Sequence, residues 1–431
     1  HAAGRAPGAR RGEHTTIPRR RIGSEAMTTD NRLVVSRSSL RIPIALAAIG
    51  GLALVVGLVA SPEWRERTWL NLLIDGFYVL SLGISGVFFT AAQRLAHAKW
   101  SAPIRRIPEA FSMLLLPAVG LLAVLALGFH YLYPWTDPSS PAMVDEHPLV
   151  QAGRFTYLSP TFTYARMIGI VALWIFFALR MRKISLSGDA SREAGLTAFS
   201  RLYRWSGVFA PLFALTFAAA AYDWLISLEP KWFSTMFSVY VFAGSFVQGI
   251  AAIALTTVTL KRKQLFGSRG ALVDNHVVQT LGTMILAFST FWGYIWVCQY
   301  LLIWYGNIPE EAVWYLQRSS GGWLPLLLSS FVVSWIIPFF TLLPLSSKRS
   351  VRVMSSIAVL VLLGRWLDLY ILVMPAKWPS PQFGLLEIAM AAGTAGLIYL
   401  VVVRGLSRAP LIPPHEPVIA ARPGHAQGEH S

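Results

Sequence analysis

Polar residues are sparse along most of this chain and gather into short intervals. Between them lie ten apolar runs: Ile42–Ala60, Trp69–Gln93, Ile107–Tyr133, Phe162–Leu179, Trp205–Leu228, Trp232–Leu260, Val277–Trp304, Gly322–Leu345, Val353–Met374 and Phe383–Val403. Crossing about 30 Å of hydrocarbon takes about 20 helical residues at roughly 1.5 Å each, and every run is close to or above that length. None shows the strict alternation of a membrane barrel strand, so the runs read as helices. The pattern predicts an all-α polytopic membrane protein with ten transmembrane helices.

Internal similarity organises the ten further. Asp223-Trp-Leu-Ile-Ser-Leu-Glu-Pro230 at the end of span five aligns with Asp368-Leu-Tyr-Ile-Leu-Val-Met-Pro375 at the end of span nine, and Lys231-Trp232 matches Lys377-Trp378 after one extra residue. His130-Tyr131-Leu132 with Trp135 likewise matches Gln299-Tyr300-Leu301 with Trp304. Residues 69–228 and 232–374 therefore read as two four-helix bundles. Spans one (42–60) and ten (383–403) are extra helices, and residues 1–41 and 404–431 are tails. A shift of four spans preserves orientation, so a pseudo-two-fold repeat axis is expected along the membrane normal.

Composition supports the membrane reading. Charged residues make up 13% of 431, about half the roughly 25% usual in soluble domains, and mean hydropathy is +0.53. The net charge is nevertheless +16, from 37 basic and 21 acidic residues. A nucleic-acid binder would be basic without being so apolar. With the N-terminus placed in the cytoplasm, 29 of the 37 Lys and Arg fall in inside segments and 6 in outside segments; Arg166 and Arg365 lie within spans. That asymmetry is the positive-inside signature of ten spans with both ends inside, as in a bacterial inner membrane protein. Trp64, Trp69, Trp135, Trp232, Trp304, Trp323 and Trp378 fall near the expected outer interface, which suits indole rings. The single Cys298 excludes a disulfide framework, a zinc cluster and a protein-ligated iron–sulfur cluster. No CxxCH, Walker A loop or dinucleotide fingerprint occurs, and the scattered histidines do not suit haem ligation. The Arg-, Gly- and Ala-rich residues 1–26 lack periodicity, and Met27 is the expected start of the natural chain. Pro413, Pro414, Pro417 and Pro423 mark the C-terminal tail as an extended surface strap or a disordered segment.

Ionisable residues inside spans are expensive and are the default functional candidates. Asp75, His130, Arg166, Asp223, Arg365, Asp368 and Glu387 all fall in the outer halves of their spans, with Tyr131 beside His130. Arg365 and Asp368 are three apart, on one helical face, and able to pair as a structural lock. Asp223 is either solvated at the interface or buried. Asp75, two turns in from its span's outer end, is either a proton-handling carboxylate or a partner of Arg166 or Arg365. His130 is a candidate quinol partner or proton acceptor, or simply an interfacial histidine. In the inner halves, Glu109, Gln248, His276, Gln279 and Thr283 are candidates for a hydrated proton path; amides and hydroxyls there can equally be interhelical glue.

Two long segments carry a resemblance. Tyr222-Asp-Trp-Leu-Ile-Ser-Leu-Glu-Pro-Lys-Trp232, with the following Phe233 to Phe246, and Ala287-Phe-Ser-Thr-Phe-Trp-Gly-Tyr-Ile-Trp-Val-Cys-Gln-Tyr-Leu-Leu-Ile-Trp-Tyr-Gly-Asn-Ile-Pro-Glu-Glu311 resemble the NrfD-like membrane subunits of alternative complex III, of the second, ActF type. The resemblance implies a membrane subunit of a quinol:cytochrome c (or other periplasmic acceptor) oxidoreductase. Such a subunit contributes quinone binding, proton conduction or assembly and has no redox centre of its own. It implies quinone or menaquinone as ligand. The expected partners are a first NrfD-like subunit, an iron–sulfur subunit and multihaem cytochrome subunits, which hold the clusters and haems, together with lipids and quinol but no nucleic acid. One departure stands out. Span seven opens Asp274-Asn-His-Val-Val-Gln-Thr-Leu-Gly-Thr283, so Gln279 and Thr283 are neutral where the family pattern is more charged. Two other readings fit the span pattern: an independent ten-helix secondary transporter, and a purely structural scaffold of the same complex. The transporter is disfavoured because transporters place their site at the midplane, whereas the buried charge here lies towards one face.

Overall fold

The computed structural model describes residues 32–137, 139–144 and 148–420; Met27, most of the basic N-terminal tail and Pro423 lie outside it. Among the described residues, ten helices are long and apolar enough to cross a membrane: α1 Arg37–Val59, α2 Pro62–Leu95, α3 Arg106–Ala126, α4 Pro160–Ser187, α5 Arg192–Leu228, α6 Phe237–Arg262, α7 Asn275–Gly306, α8 Trp323–Leu342, α9 Val351–Ala376 and α10 Leu385–Ser407. The chain is an all-α, multi-pass membrane protein. Short polar residues start these helices by taking up free backbone N–H groups. Ser61 accepts from Trp64, Ser191 from Ala194, Asp274 from Val277 and Ser350 from Val353. Asn307, in the left-handed region at φ 45°, ends α7.

The helix ends depart from the hydropathy pattern where packing overrides it. Helix α2 begins at Pro62, before Trp69, and α5 begins at Arg192, thirteen residues before Trp205, because polar helix turns project beyond the apolar run. The third span does not reach Tyr133. It stops at Ala126, and Phe129–Leu132 forms a separate turn. Gly128 passes directly over Trp69, and a Cβ there would lie 2.2 Å from the indole, so only glycine permits the crossing.

Helix neighbours follow the same order in each half of the chain. In the first, α2 packs on α3 and α5, α3 on α4, and α4 on α5. In the second, α6 packs on α7 and α9, α7 on α8, and α8 on α9. Helices α2 and α6 touch each other at the junction and are the most deeply buried spans, with 94% and 83% of their apolar windows enclosed. Helix α1 lies against α10 through a backbone-close crossing, where a Cβ on Gly50 would sit 2.5 Å from Gly393 Cα.

We call the end carrying Arg94, Arg105, Arg182 and Arg408 the basic end. There the chain after α10 is a packed strap as far as Ala420. Pro410 bridges to Arg32, and Leu411, Ile412, Glu416 and Ile419 are buried. At the opposite end, two amphipathic helices, Pro148–Tyr157 and Pro309–Ser319, lie outside the ten spans. Indoles expected at an interface there are partly interior. Trp69, Trp135, Trp232 and Trp323 are buried in protein, and the Trp135, Trp232 and Trp323 N–H groups donate to Ser227 Oγ, the Glu311 carbonyl and the Trp378 carbonyl. Trp64 and Trp304 are exposed.

Candidate functional site

A cavity of about 730 Å³ forms an apolar cleft between α2, α6, α9 and α10. Its wall on α10 runs from Glu387 to Leu406, about 28 Å at 1.5 Å per residue, close to the thickness of a bilayer core. At the basic end it is bounded by Leu33, Lys263 and Leu406; at the other, by Phe383, Trp366 and Glu387. The α10 wall is lined by small side chains, Ala391, Thr394 and Ala395, which leave the volume open. A long, narrow, largely apolar cavity with polar groups towards its ends suits an amphiphile with an extended tail.

Asp75 lies behind the wall of this cleft, bonded to two residues that line it. It is 3% exposed, and its Oδ1 accepts from Trp366 Nε1 at 3.0 Å with the Thr394 hydroxyl beside it. Trp366 and Thr394 both line the cleft, so the carboxylate is one side chain away from whatever occupies it. Among the described residues Asp75 forms no ion pair; of its two readings, the one as a partner of Arg166 or Arg365 is not met, since those arginines pair with Asp223 and Asp368. Tyr78, one turn along α2, faces the cleft and donates to the Leu362 carbonyl at 3.0 Å. Trp366 itself stacks on Tyr370, with ring centroids 5.6 Å apart, and is thereby held in place.

The remaining outer candidates divide into separate groups. Asp223 is fully buried, not solvated, and is gripped by Arg166 through Nε and Nη2, each at 2.7 Å, with Tyr157 Oη at 3.2 Å. Burial, with Asp223 beside it, pushes the Tyr157 phenol up to about 12. Arg365 pairs with Asp368 at 2.7 Å, the lock expected from their spacing, and Tyr240 donates to the other Asp368 oxygen. Glu387 is fully buried and accepts from Arg67 at 2.9 Å, Asn71 and the Gly384 backbone, so its charge is spent capping α10. His130 is exposed on the short Phe129–Leu132 turn, and the neighbouring Tyr131 stacks on Trp69; neither meets the buried acids.

The five inner candidates do not form one path. Glu109 is clamped by Arg105 and Arg106 at 3.3 and 2.6 Å and by Ser185. Gln248 joins α6 to α2, accepting from Ser81 and donating to the Tyr78 carbonyl. His276 and Thr283 are exposed on the outward side of α7, and the half-buried Gln279 is bonded by Arg349. The only bond within the set is from the Thr283 hydroxyl to the Gln279 carbonyl. Helical periodicity places 276, 279 and 283 on one face; it does not say whether that face points inward.

Three contributors had no sequence signal strong enough to single them out. Trp366 and Thr394 matter through nonlocal contacts with Asp75. Arg318, outside the apolar runs, is fully buried. It donates to the Trp314, Ile371 and Leu372 carbonyls and to Glu229 at 2.7 Å. The spacing of Trp314, Tyr315 and Arg318 on one face of Pro309–Ser319 is a faint signal that does not by itself single out the arginine. No family model and no curated protein matches the chain.

Proposed function

We propose that this chain is an NrfD-like integral membrane subunit of a quinol-oxidising electron-transfer complex of the alternative complex III type. In this reading the cleft between α2, α6, α9 and α10 takes the quinone. The observation that carries it is a bilayer-length apolar cleft whose lining residues Trp366 and Thr394 bond a buried carboxylate without an ion-pair partner, Asp75, directly behind them. An isoprenoid tail would lie along the apolar walls, and the ring would sit near Trp366 and Thr394. Oxidation of a quinol releases two electrons and two protons. No residue of this chain is a redox centre in this reading, so the electrons pass to iron–sulfur and haem groups of partner subunits. Asp75 takes up the two protons one at a time, passing the first on to water before it accepts the second, and Trp366 and Thr394 orient its carboxylate. The placement of both termini in the cytoplasm rests on the 29-to-6 distribution of basic residues, and the bacterial inner membrane follows from the family resemblance.

The two segments around 222–246 and 287–311 support the same family assignment. The recurrent neighbour order of α2–α5 and α6–α9 supports the reading as duplicated four-helix units. The test is mild-detergent purification from native membranes. Co-purification with haem- and iron–sulfur-containing polypeptides and with quinol oxidation is expected. A lone chain with neither would contradict the proposal and favour a transporter.

A further inference from the structure

At the centre of the second four-helix unit, side chains from α6, α7, α8 and α9 converge. Tyr240, Trp292, Arg365 and Asp368 meet there, Ser334 lies against Gly364 next to Arg365, and Ser330 is one turn away from Ser334 on α8; all six are buried. The Arg365 guanidinium lies 5.4 Å from the centre of the Trp292 ring, and the Tyr240 ring lies 5.7 Å from it. The helices are shaped to admit these groups. A Cβ on Gly244 would meet Arg365 at 2.1 Å, one on Gly364 would meet Ser334 Oγ at 2.5 Å, and one on Gly293 would meet the Trp335 ring at 2.6 Å.

The cluster is under-bonded. Trp292 Nε1, Ser330 Oγ, Ser334 Oγ and Arg365 Nε have no protein partner, and Arg365 Nη1 and Asp368 Oδ2 touch without a well-aligned hydrogen bond. Elsewhere in this half of the chain, hydroxyls turn back onto their own helix. Thr256, Thr257, Thr259, Thr280, Thr283 and Thr290 each donate to the carbonyl four residues earlier. Ser334 sits in the middle of a π-turn, Val332–Ile336, which disturbs that register, and its hydroxyl makes no such bond. The contrast with the first unit is sharp. Asp223, which aligns with Asp368, has both oxygens taken by Arg166 and one also by Tyr157.

We infer that the centre of the second unit is a water-binding site bounded by Trp292, Ser330, Ser334, Arg365 and Asp368. Buried polar atoms are almost always satisfied, and the ligand that fits mixed donors and acceptors between close-packed helices is water. The four unpartnered atoms call for at least one molecule, since a buried water makes about three bonds. Asp368 and Tyr240 thereby meet water in the bundle interior, whereas Asp223 is sealed within its ion pair. The site is independent of the cleft and of what occupies it.

Radiolytic hydroxyl-radical labelling of the purified full chain tests this, because radicals generated from bound water oxidise side chains that bulk solvent does not reach. Trp174 is the internal control: it is as buried as Trp292, but its N–H is taken by Thr216 at 2.9 Å. Trp292 is expected to be labelled several-fold faster than Trp174, and Ser334→Ala or Ser330→Ala to reduce that excess with the melting temperature retained. Equal labelling of Trp292 and Trp174, or an excess that neither serine variant changes, overturns the site.

Discussion

Replacing Asp75 by Asn exchanges a carboxylate for an amide of nearly the same shape. The amide oxygen still accepts from Trp366 Nε1, so the wall of the cleft and the stack of Trp366 on Tyr370 are retained. What is lost is the capacity to take a proton from the cleft. A positioned acid or base contributes about 10²–10⁴-fold to a proton-coupled step, so Asp75→Asn should lower quinol turnover by at least about 10²-fold, or about 2.7 kcal/mol of barrier at 1.36 kcal/mol per tenfold. Its thermal stability should equal or exceed that of the parent, because the variant no longer buries an unpaired carboxylate. Asp75→Leu provides the structural comparison. It removes the acceptor as well, and the orphaned Trp366 N–H should cost about 1–3 kcal/mol in stability. The assay is quinol:acceptor turnover of the purified assembly, read beside thermal melts of each variant. Asp75→Asn with parental turnover and normal assembly would refute a proton-handling role and leave Asp75 as a support behind the wall.

Three further outcomes follow from contacts away from the cleft. Arg318→Leu leaves several carbonyls and Glu229 without their donor and should destabilise the fold by about 3–5 kcal/mol, visible as a large drop in melting temperature or in yield; a change within experimental error would contradict the buried-arginine account. Gly393→Leu forces α1 from α10 and should cost about 1–3 kcal/mol, read as faster proteolysis at residues 60–61 between α1 and α2; unchanged protection would contradict the close crossing. The Tyr157 phenol has its ordinary value raised by burial, so the folded state holds that proton more tightly than the unfolded chain does. Stability should therefore be intact below pH 10 and fall as pH rises towards about 12. Tyr157→Phe should flatten that alkaline loss in melts taken across the range, and an identical pH profile would contradict it.

The span count was legible because each apolar run is long, separated by polar intervals and checked by the distribution of Lys and Arg. Pairing was legible only where it is local: Arg365 and Asp368 lie on one helix, and three residues fix their proximity. The choice of Asp223 by Arg166 depends on how α4 packs against α5, and the association of Asp75 with Trp366 depends on how α2 packs against α9. Hydropathy carries no term for either. The same limit explains Trp69, Trp135, Trp232 and Trp323. An indole at the end of a span can face lipid or another helix, and its sequence position is compatible with both. His276, Gln279 and Thr283 show the converse, polar residues on a shared face that turns outward while the deeper Gln248 ties two helices together.

The central claim, that quinone occupies the cleft, is tested most directly with a photoreactive quinone carrying a full isoprenoid tail. After illumination of the intact assembly, peptide mapping should place label on the cleft faces of α9 and α10, around Trp366 and Ala391–Ala395. Native quinone in excess should suppress it, as should Ala395→Trp, which fills the cavity. Label confined to partner subunits, or label on α9 and α10 that native quinone does not displace, would contradict the account.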